Sequence, residues 1–127
     1  MQENYLYEYA VIRLVPKVER EEFINIGIIL FSKQARFIKM LYVLPEEKLC
    51  WFAHDLDKEM LEATLQSFEK ICKGEEEGGA IASLEIPERF RWLTAVRSSC
   101  LQTSRPHPGF STDLELTLAR LFKELVL

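Results

Sequence analysis

Two polar stretches of this sequence carry residue types that could bind a ligand. The first is Glu22–Gly27, where Asn25 and Gly27 interrupt an otherwise apolar segment and are expected to lie on one face of a central strand. An asparagine amide both donates and accepts hydrogen bonds, and a glycine lets a ligand or a side chain approach the backbone closely. Arg13 lies in the preceding apolar segment and adds a positive charge. In the alternative interpretation, Asn25 satisfies a nearby backbone group and Gly27 makes room for a Tyr or Trp side chain.

The second stretch, Arg97–Gly109, is rich in hydrogen-bond donors and leads into a helix that begins at Asp113. A loop that enters a helix N-terminus can bind anions, because free N–H groups and the positive end of the helix dipole point there. Gln102 and His107 would suit a phosphate or a carboxylate. The alternative is a solvated loop whose prolines fix its course.

The sequence predicts that the two stretches meet. We expect five side chains to converge in one surface depression: Arg13, Asn25, Gln102, His107 and Asp113. A half-buried arginine needs an acidic partner, and Asp113 and Glu22 are the candidates. The alternative is a structural hydrogen-bond network that ties the last loop to the sheet.

Motifs of common active sites are absent: there is no phosphate-binding glycine loop, nucleophile elbow, zinc-protease motif or calcium loop. The two histidines, His54 and His107, have no metal-ligand spacing. Cys50, Cys72 and Cys100 are odd in number and widely spaced, which favours free thiols over disulfides or zinc ligands. The sequence therefore predicts no metal and no cofactor, and leaves open whether the chain is an enzyme.

Charge is unevenly distributed along the chain. The net charge is −4, and residues 46–88 hold 12 acidic and 4 basic side chains. An acidic protein is a poor general binder of nucleic acids. A basic aromatic segment, Arg89–Trp92, could still contact RNA or a protein, with Trp92 as the expected core residue.

Length and hydropathy favour a single cytoplasmic domain over residues 1–127. A chain of 127 residues fits one domain. No apolar run reaches the roughly 18 residues that a membrane span needs. The first residues lack the basic and apolar parts of a signal peptide.

Apolar periodicity predicts an α+β fold. Alternation and β-branched residues predict strands over residues 5–15, 23–32 and 36–44, with shorter strands over 81–86 and 98–103. Helical spacing predicts helices over 58–73 and 87–95, and a C-terminal helix from Asp113 with Thr112 and Glu115 as a capping box. Residues 74–79 and 104–112 are expected to be loops. We expect an antiparallel sheet of about four to five strands, with helices packed on one face and a C-terminal helix closing the fold.

The sequence also resembles a small bacterial family of unknown function. The resemblance lies in Tyr7–Pro16, Glu22–Phe31, Phe90–Ala95, and in a set of single positions. These positions are Ser99, Gln102, Pro106, His107, Gly109 and Asp113. The resemblance adds Gly109 to the candidate ligand-binding residues. It further implies a genomic neighbourhood, since members are often encoded beside HipA-like kinases.

Two functions of different classes follow. The first is a non-catalytic partner or modulator of a HipA-like kinase. The second is a small anion- or nucleotide-binding domain or enzyme, with a polar site built from the two stretches. Binding of nucleic acid is the least favoured function, and the sequence does not indicate an oligomeric state.

Overall fold

The computed structural model describes residues 3–15, 22–47, 58–95 and 100–127. Within these residues the chain forms a five-stranded antiparallel sheet and three α-helices, as the sequence predicts. The strands are β1 (Tyr5–Leu14), β2 (Ile24–Ser32), β3 (Phe37–Tyr42), β4 (Leu101–Thr103) and β5 (His107–Ser111). The helices are α1 (Lys58–Lys73), α2 (Ile86–Leu93) and α3 (Leu114–Leu125). Among the helices of the described segments, none has both the length and the apolar character to cross a membrane.

β1 and β2 form the centre of the sheet. The strand order is β3-β2-β1-β4, and β5 also pairs with β1. Every one of these pairings is antiparallel, which confirms the predicted neighbours over residues 5–15, 23–32 and 36–44. Residues 26–32 of β2 are all buried, because both faces of this strand are covered.

β4 and β5 are two parts of one bulged strand along the edge of β1. The register leaves residues 104–106 opposite Ala10 and Val11, so one residue is extra. Ser104 bonds to Val11 across this bulge through both its backbone and its side chain. Its N–H donates to the Val11 carbonyl at 2.8 Å, and its Oγ accepts from the Val11 N–H at 2.9 Å.

Pro108 lies within β5, directly opposite Glu8 of β1. Alternate residues of an antiparallel strand direct their N–H groups away from the partner strand. A proline that does not interrupt a ladder must occupy one of these outward positions, because it has no N–H to donate. The nitrogen of Pro108 therefore faces the outer edge of the sheet.

A β-bulge in β2 changes which side chains share a face. The register pairs Gly27 with Ile12 and then Asn25 with Arg13, which leaves Ile26 as an extra residue. The sequence predicts that Asn25 and Gly27 lie on one face, and this prediction is wrong. One inserted residue reverses the alternation beyond it, so Gly27 and Asn25 project to opposite faces.

Helices cover both faces of the sheet, and each face has its own core. The core under α1 and α2 contains these buried residues: Ile12, Leu14, Ile26, Ile29, Phe31, Met40, Leu61, Leu65, Phe68, Ile71, Cys72, Ala82, Phe90, Leu93 and Leu101. The core under α3 contains Tyr7, Val11, Ile28, Leu30, Leu114, Leu118, Leu121 and Val126. The prediction of helices on one face is therefore wrong, because β2 has apolar side chains on both faces and each face must be covered.

The segment between α1 and α2 differs from its prediction. Residues 81–86 form no strand; a 3-10 helix spans Ile81–Ser83 and buries Ala82. A second 3-10 helix, Glu76–Gly78, replaces the loop expected over residues 74–79. None of the described strands pairs with this segment. Its backbone N–H groups donate instead to nearby carbonyls of the same segment and of the end of α1.

Trp92 is not a core residue. α2 confirms the helix predicted over residues 87–95, but it buries Phe90 and Leu93 and leaves Trp92 39% exposed. Residues three apart lie on one helix face, so the face that carries Phe90 and Leu93 excludes Trp92. The indole ring instead lies edge-on to Phe68, with 6.1 Å between ring centroids.

The predicted loop over residues 104–112 contains β5. The two prolines indicate a loop, yet Pro108 is compatible with the outer strand of a sheet. β4 confirms residues 101–103 of the strand expected over 98–103, and residues 98 and 99 lie outside the described residues.

Candidate functional site

Three of the predicted site residues form a row across neighbouring strands. Arg13 of β1 is paired with Asn25 of β2 on one side and with Gln102 of β4 on the other. Directly opposite residues on adjacent strands share a face, with Cβ atoms about 5 Å apart. The predicted meeting of Arg13 and Asn25 is confirmed, and we call these three residues the polar row.

The surroundings of the polar row are aromatic and helical. The Arg13 guanidinium lies over the Phe23 ring, 4.3 Å from its centroid. The Asn25 amide donates to the carbonyl of Leu125, in the last turn of α3, at 3.0 Å. Asp113, one of the acids expected as the partner of Arg13, forms no ion pair with it among the described residues, and its carboxylate accepts from the Leu116 N–H instead.

Two polar atoms of the row are covered. Arg13 Nε and Asn25 Oδ1 are inaccessible to solvent and have no hydrogen-bond partner among the described residues. A binding site would expose such atoms, whereas a structural network would both cover and satisfy them. The polar row is therefore buried as a structural network would be, but Arg13 Nε and Asn25 Oδ1 lack the hydrogen bonds that such a network would give them.

His107 lies apart from the polar row. It pairs with Tyr9, four residues before Arg13 in β1, which corresponds to about 13 Å of strand. Its exposed ring packs on the Tyr9 ring, with 5.2 Å between centroids. The structure therefore does not bring His107 and Asn25 into one depression.

Asp113 caps α3. Its Oδ1 accepts a hydrogen bond from the Leu116 N–H at 3.1 Å, and its own N–H donates to Ser111 Oγ at 3.0 Å. The expected capping box of Thr112 and Glu115 is not formed, because the helix begins one residue later than that box requires.

Both candidate glycines are explained by close packing within the protein. A Cβ atom on Gly27 would lie 2.7 Å from the Leu41 carbonyl oxygen, and one on Gly109 would lie 2.5 Å from the Tyr7 ring. Gly27 thus permits the approach of β3, and Gly109 makes room for an aromatic side chain. The structure assigns a packing role to both.

The capacity to bind a metal ion and the state of the buried Cys72 thiol also bear on chemistry at this protein. No group of three or more His, Cys, Asp or Glu side chains there could hold a metal ion. Burial raises the pKa of the Cys72 thiol from its ordinary 9.0 to about 12, so the reactive thiolate is even scarcer here than in an exposed cysteine.

A groove that the sequence does not reveal lies at the other end of the sheet. It has a volume of about 620 Å³ and runs between the start of β1, the β2–β3 turn, β5 and α2. Its lining residues are Leu6, Tyr7, Glu8, Phe31, Lys33, Gln34, Pro87, Arg91 and Pro108. We call this feature the β1–α2 groove.

Exposed apolar side chains and cations surround the β1–α2 groove. Leu6 and Phe110 are directly opposite on β1 and β5, and they are 48% and 66% exposed. Lys33 and Arg91 are exposed in its wall, and Lys33 also lines an adjoining depression that contains Arg36. The surface therefore combines apolar lining residues with exposed cations, beside Glu8 in the groove and Glu85 in the adjoining depression.

The sequence contains only a partial signal for this groove. Phe90 and Arg91 belong to the basic aromatic segment, and the structure divides their roles. Phe90 is buried and stacks on Phe31 at 4.8 Å between centroids, while Arg91 faces solvent. A different arginine of that segment, Arg89, donates to the carbonyls of Ile71 and Cys72 at the end of α1.

A family model described as "Protein of unknown function (DUF3037)" matches residues 9–126. The match includes the polar row and α2. No curated protein and no solved structure matches the chain.

Proposed function

Because this chain belongs to the DUF3037 family of proteins of unknown function, we propose a function from its surfaces: a non-catalytic module that docks a protein partner in the β1–α2 groove. The proposed partner is a HipA-like kinase, the neighbour that the sequence resemblance implies. The proposed location of both proteins is the cytoplasm.

The observation that carries this proposal is the exposed apolar pair beside the groove. Leu6 and Phe110 lie side by side on the sheet surface and belong to neither core. Contiguous apolar surface next to a groove is typical of protein interaction sites, and aromatic residues often anchor them.

Three of the described residues whose side chains could take part in catalysis are engaged in the structure, which supports a non-catalytic function. The Asp113 carboxylate caps α3, and the Cys72 thiol is buried with a raised pKa. His107 packs on Tyr9, separate from the polar row.

The alternative function, an anion- or nucleotide-binding domain or enzyme at the polar row, has less support. Arg13 Nε and Asn25 Oδ1 are covered, and His107 is about 13 Å away along β1, too far to share a small anion with them. Nucleic acid is also disfavoured as a partner, because the net charge of −4 repels a phosphate backbone.

Binding of the purified HipA-like kinase from the neighbouring gene tests the proposal. We expect Phe110→Ser to weaken binding at least about tenfold in isothermal titration calorimetry, since this ring is the most exposed anchor beside the groove. Leu116→Ser is the matched control: Leu116 is also 66% exposed, but it lies on α3. Absence of binding by the unaltered protein, or equal affinities of the two variants, would show that the proposal is wrong.

A further inference from the structure

Building on the proposed docking function, we infer the chemistry of the segment that occupies the β1–α2 groove. The segment carries a bulky apolar side chain flanked by Asp or Glu. The apolar side chain rests on the groove floor, and the carboxylates pair with Lys33 and Arg91.

The groove floor is apolar and is packed against the core under α1 and α2. Leu6, Pro87 and Pro108 line it, together with Phe31. Phe31 is only 7% exposed, and its ring stacks on the buried Phe90, so the floor is continuous with the core under α1 and α2. A bulky apolar side chain is the group that gains most from burial on such a surface.

The cations at the groove have no acidic partners of their own. Lys33 and Arg91 are exposed, and neither forms an ion pair with any residue in the described segments. Arg36, in the adjoining depression, is likewise unpaired there. Glu8 is the single acidic residue lining the groove. Complementary charge on a partner would steer its approach and fix its register.

Arg91 lies on the same face of α2 as an apolar residue that lines the groove. Pro87 and Arg91 are four residues apart in α2 and therefore lie on one helix face. Both residues line the groove. A side chain seated against Pro87 thus places its neighbours within reach of the guanidinium.

A short labelled peptide tests the inference without the kinase. The probe is fluorescein-labelled Asp-Glu-Leu-Phe-Glu-Asp, and its control is Lys-Lys-Leu-Phe-Lys-Lys. Fluorescence anisotropy measures the affinity of each peptide for the full chain. We expect the acidic peptide to bind at least about tenfold more tightly than the basic one. Raising the ionic strength to about 1 M should reduce this preference, because the Debye length falls to about 3 Å.

Charge reversal locates the site. We expect Arg91→Glu and Lys33→Glu each to weaken binding of the acidic peptide by about tenfold. Arg120→Glu is the matched control, because Arg120 is an exposed cation that does not line the groove and lies on α3, which covers the opposite face of the sheet from α2. Melting temperatures of all three variants verify that they fold, which their exposed positions favour.

Five results would overturn the inference, and four of them concern peptide binding. These four are equal affinities for the two peptides, no binding of either, acidic-peptide binding unchanged in Arg91→Glu, and sodium octanoate displacing the peptide more strongly than unlabelled peptide does. The last result would indicate a site for a small apolar acid. Concentration-dependent dimers in sedimentation, abolished by Arg91→Glu, would likewise overturn it by identifying a second copy as the occupant.

The two proposals fail separately. If the kinase does not bind but the acidic peptide binds at Arg91, the proposed partner is wrong and the inferred chemistry stands. If the kinase binds through Phe110 but is insensitive to Arg91→Glu and to salt, the docking function stands and the inferred chemistry is wrong.

Discussion

Cys72 keeps its proton because it lies in the core under α1 and α2, where a thiolate would be poorly solvated. Its side chain is 2% exposed, and burial raises its pKa from 9.0 to about 12. The nearby Arg89 guanidinium opposes this shift, but burial is the larger effect. The thiol is therefore part of the hydrophobic core rather than a reactive group.

The raised pKa of Cys72 predicts a pH-dependent stability. The unfolded chain loses the thiol proton near pH 9, whereas the folded chain holds it until about pH 12. The stabilising contribution is complete below pH 9 and is lost as the pH rises from 9 towards 12. We expect the free energy of unfolding to fall by up to about 1.4 kcal/mol per pH unit in this window, relative to Cys72→Ala.

Urea denaturation at several pH values checks this prediction, with Cys72→Ala as the reference. Only the difference between the two pH profiles matters, because the substitution also changes packing at every pH. Parallel profiles above pH 9 would show that the thiol ionises without unfolding.

The sequence identifies the pairing partners of Arg13 but not the face of every neighbour. Arg13 and Asn25 are predicted to meet because each lies on a recognisable strand. The misplaced residue is Gly27, since β2 is apolar on both sides of the bulge and its alternation is the same in either register. A single inserted residue such as Ile26 therefore leaves no signal in the apolar pattern.

The start of α3 is fixed by one side chain, the Asp113 carboxylate. It accepts from the Leu116 N–H, while Ser111 and Thr117 bond to each other at 2.6 Å beside it. Negative charge at this position also interacts favourably with the helix dipole. The cap thus joins the end of β5 to the beginning of α3.

Removal of the Asp113 carboxylate is expected to destabilise the protein. Asp113→Ala loses the cap and should lower the free energy of unfolding by about 1 kcal/mol, whereas Asp113→Asn should retain most of it. Thr112→Ala is the control, since this residue would form the cap predicted from sequence and does not do so in the structure. Equal losses in Asp113→Ala and Thr112→Ala, measured by chemical denaturation, would contradict the observed cap.

Elements with strong apolar periodicity can be predicted from the sequence, whereas short elements are harder to predict. α1 and α3 carry apolar stripes at helical spacing, and each is predicted within a residue or two of its bounds. β5 is short and contains Pro108, so its strand character depends on β1, which is about a hundred residues away. Local sequence contains no information about that partner.

The two cores lie on opposite faces of one sheet and share β1 and β2. Ile12 and Val11 are adjacent in β1, yet they belong to different cores. Loss of either core would expose one face of the same strands. The whole chain is therefore expected to unfold as one cooperative unit.

Paired core truncations test this cooperativity. Leu65 and Leu118 are 0% and 1% exposed, one in each core. We expect Leu65→Ala and Leu118→Ala each to lower the free energy of unfolding by about 2–5 kcal/mol. Both should shift one transition that is identical by tryptophan fluorescence and circular dichroism. Two separate transitions in either variant would show that the faces unfold independently.

The β1–α2 groove belongs to the scale of the whole molecule and could not be predicted from sequence. Leu6, Lys33, Arg91 and Pro108 come from four distant segments, and only the completed sheet brings them together. By contrast, the polar row connects three strands that the sequence already marks. Its binding role stays a prediction, while its geometry is established by register.

The outward-facing nitrogen of Pro108 affects how copies of this protein behave when crowded together. An uncapped sheet edge is a template for stacking into fibrils, and an exposed ring such as Phe110 would strengthen that tendency. A strand from another copy that pairs with the outer edge of β5 would find no backbone N–H donor at Pro108. The ladder of hydrogen bonds would therefore be interrupted at this residue. β5 can thus present the exposed Phe110 side chain to a partner and still resist aggregation with other copies of this protein.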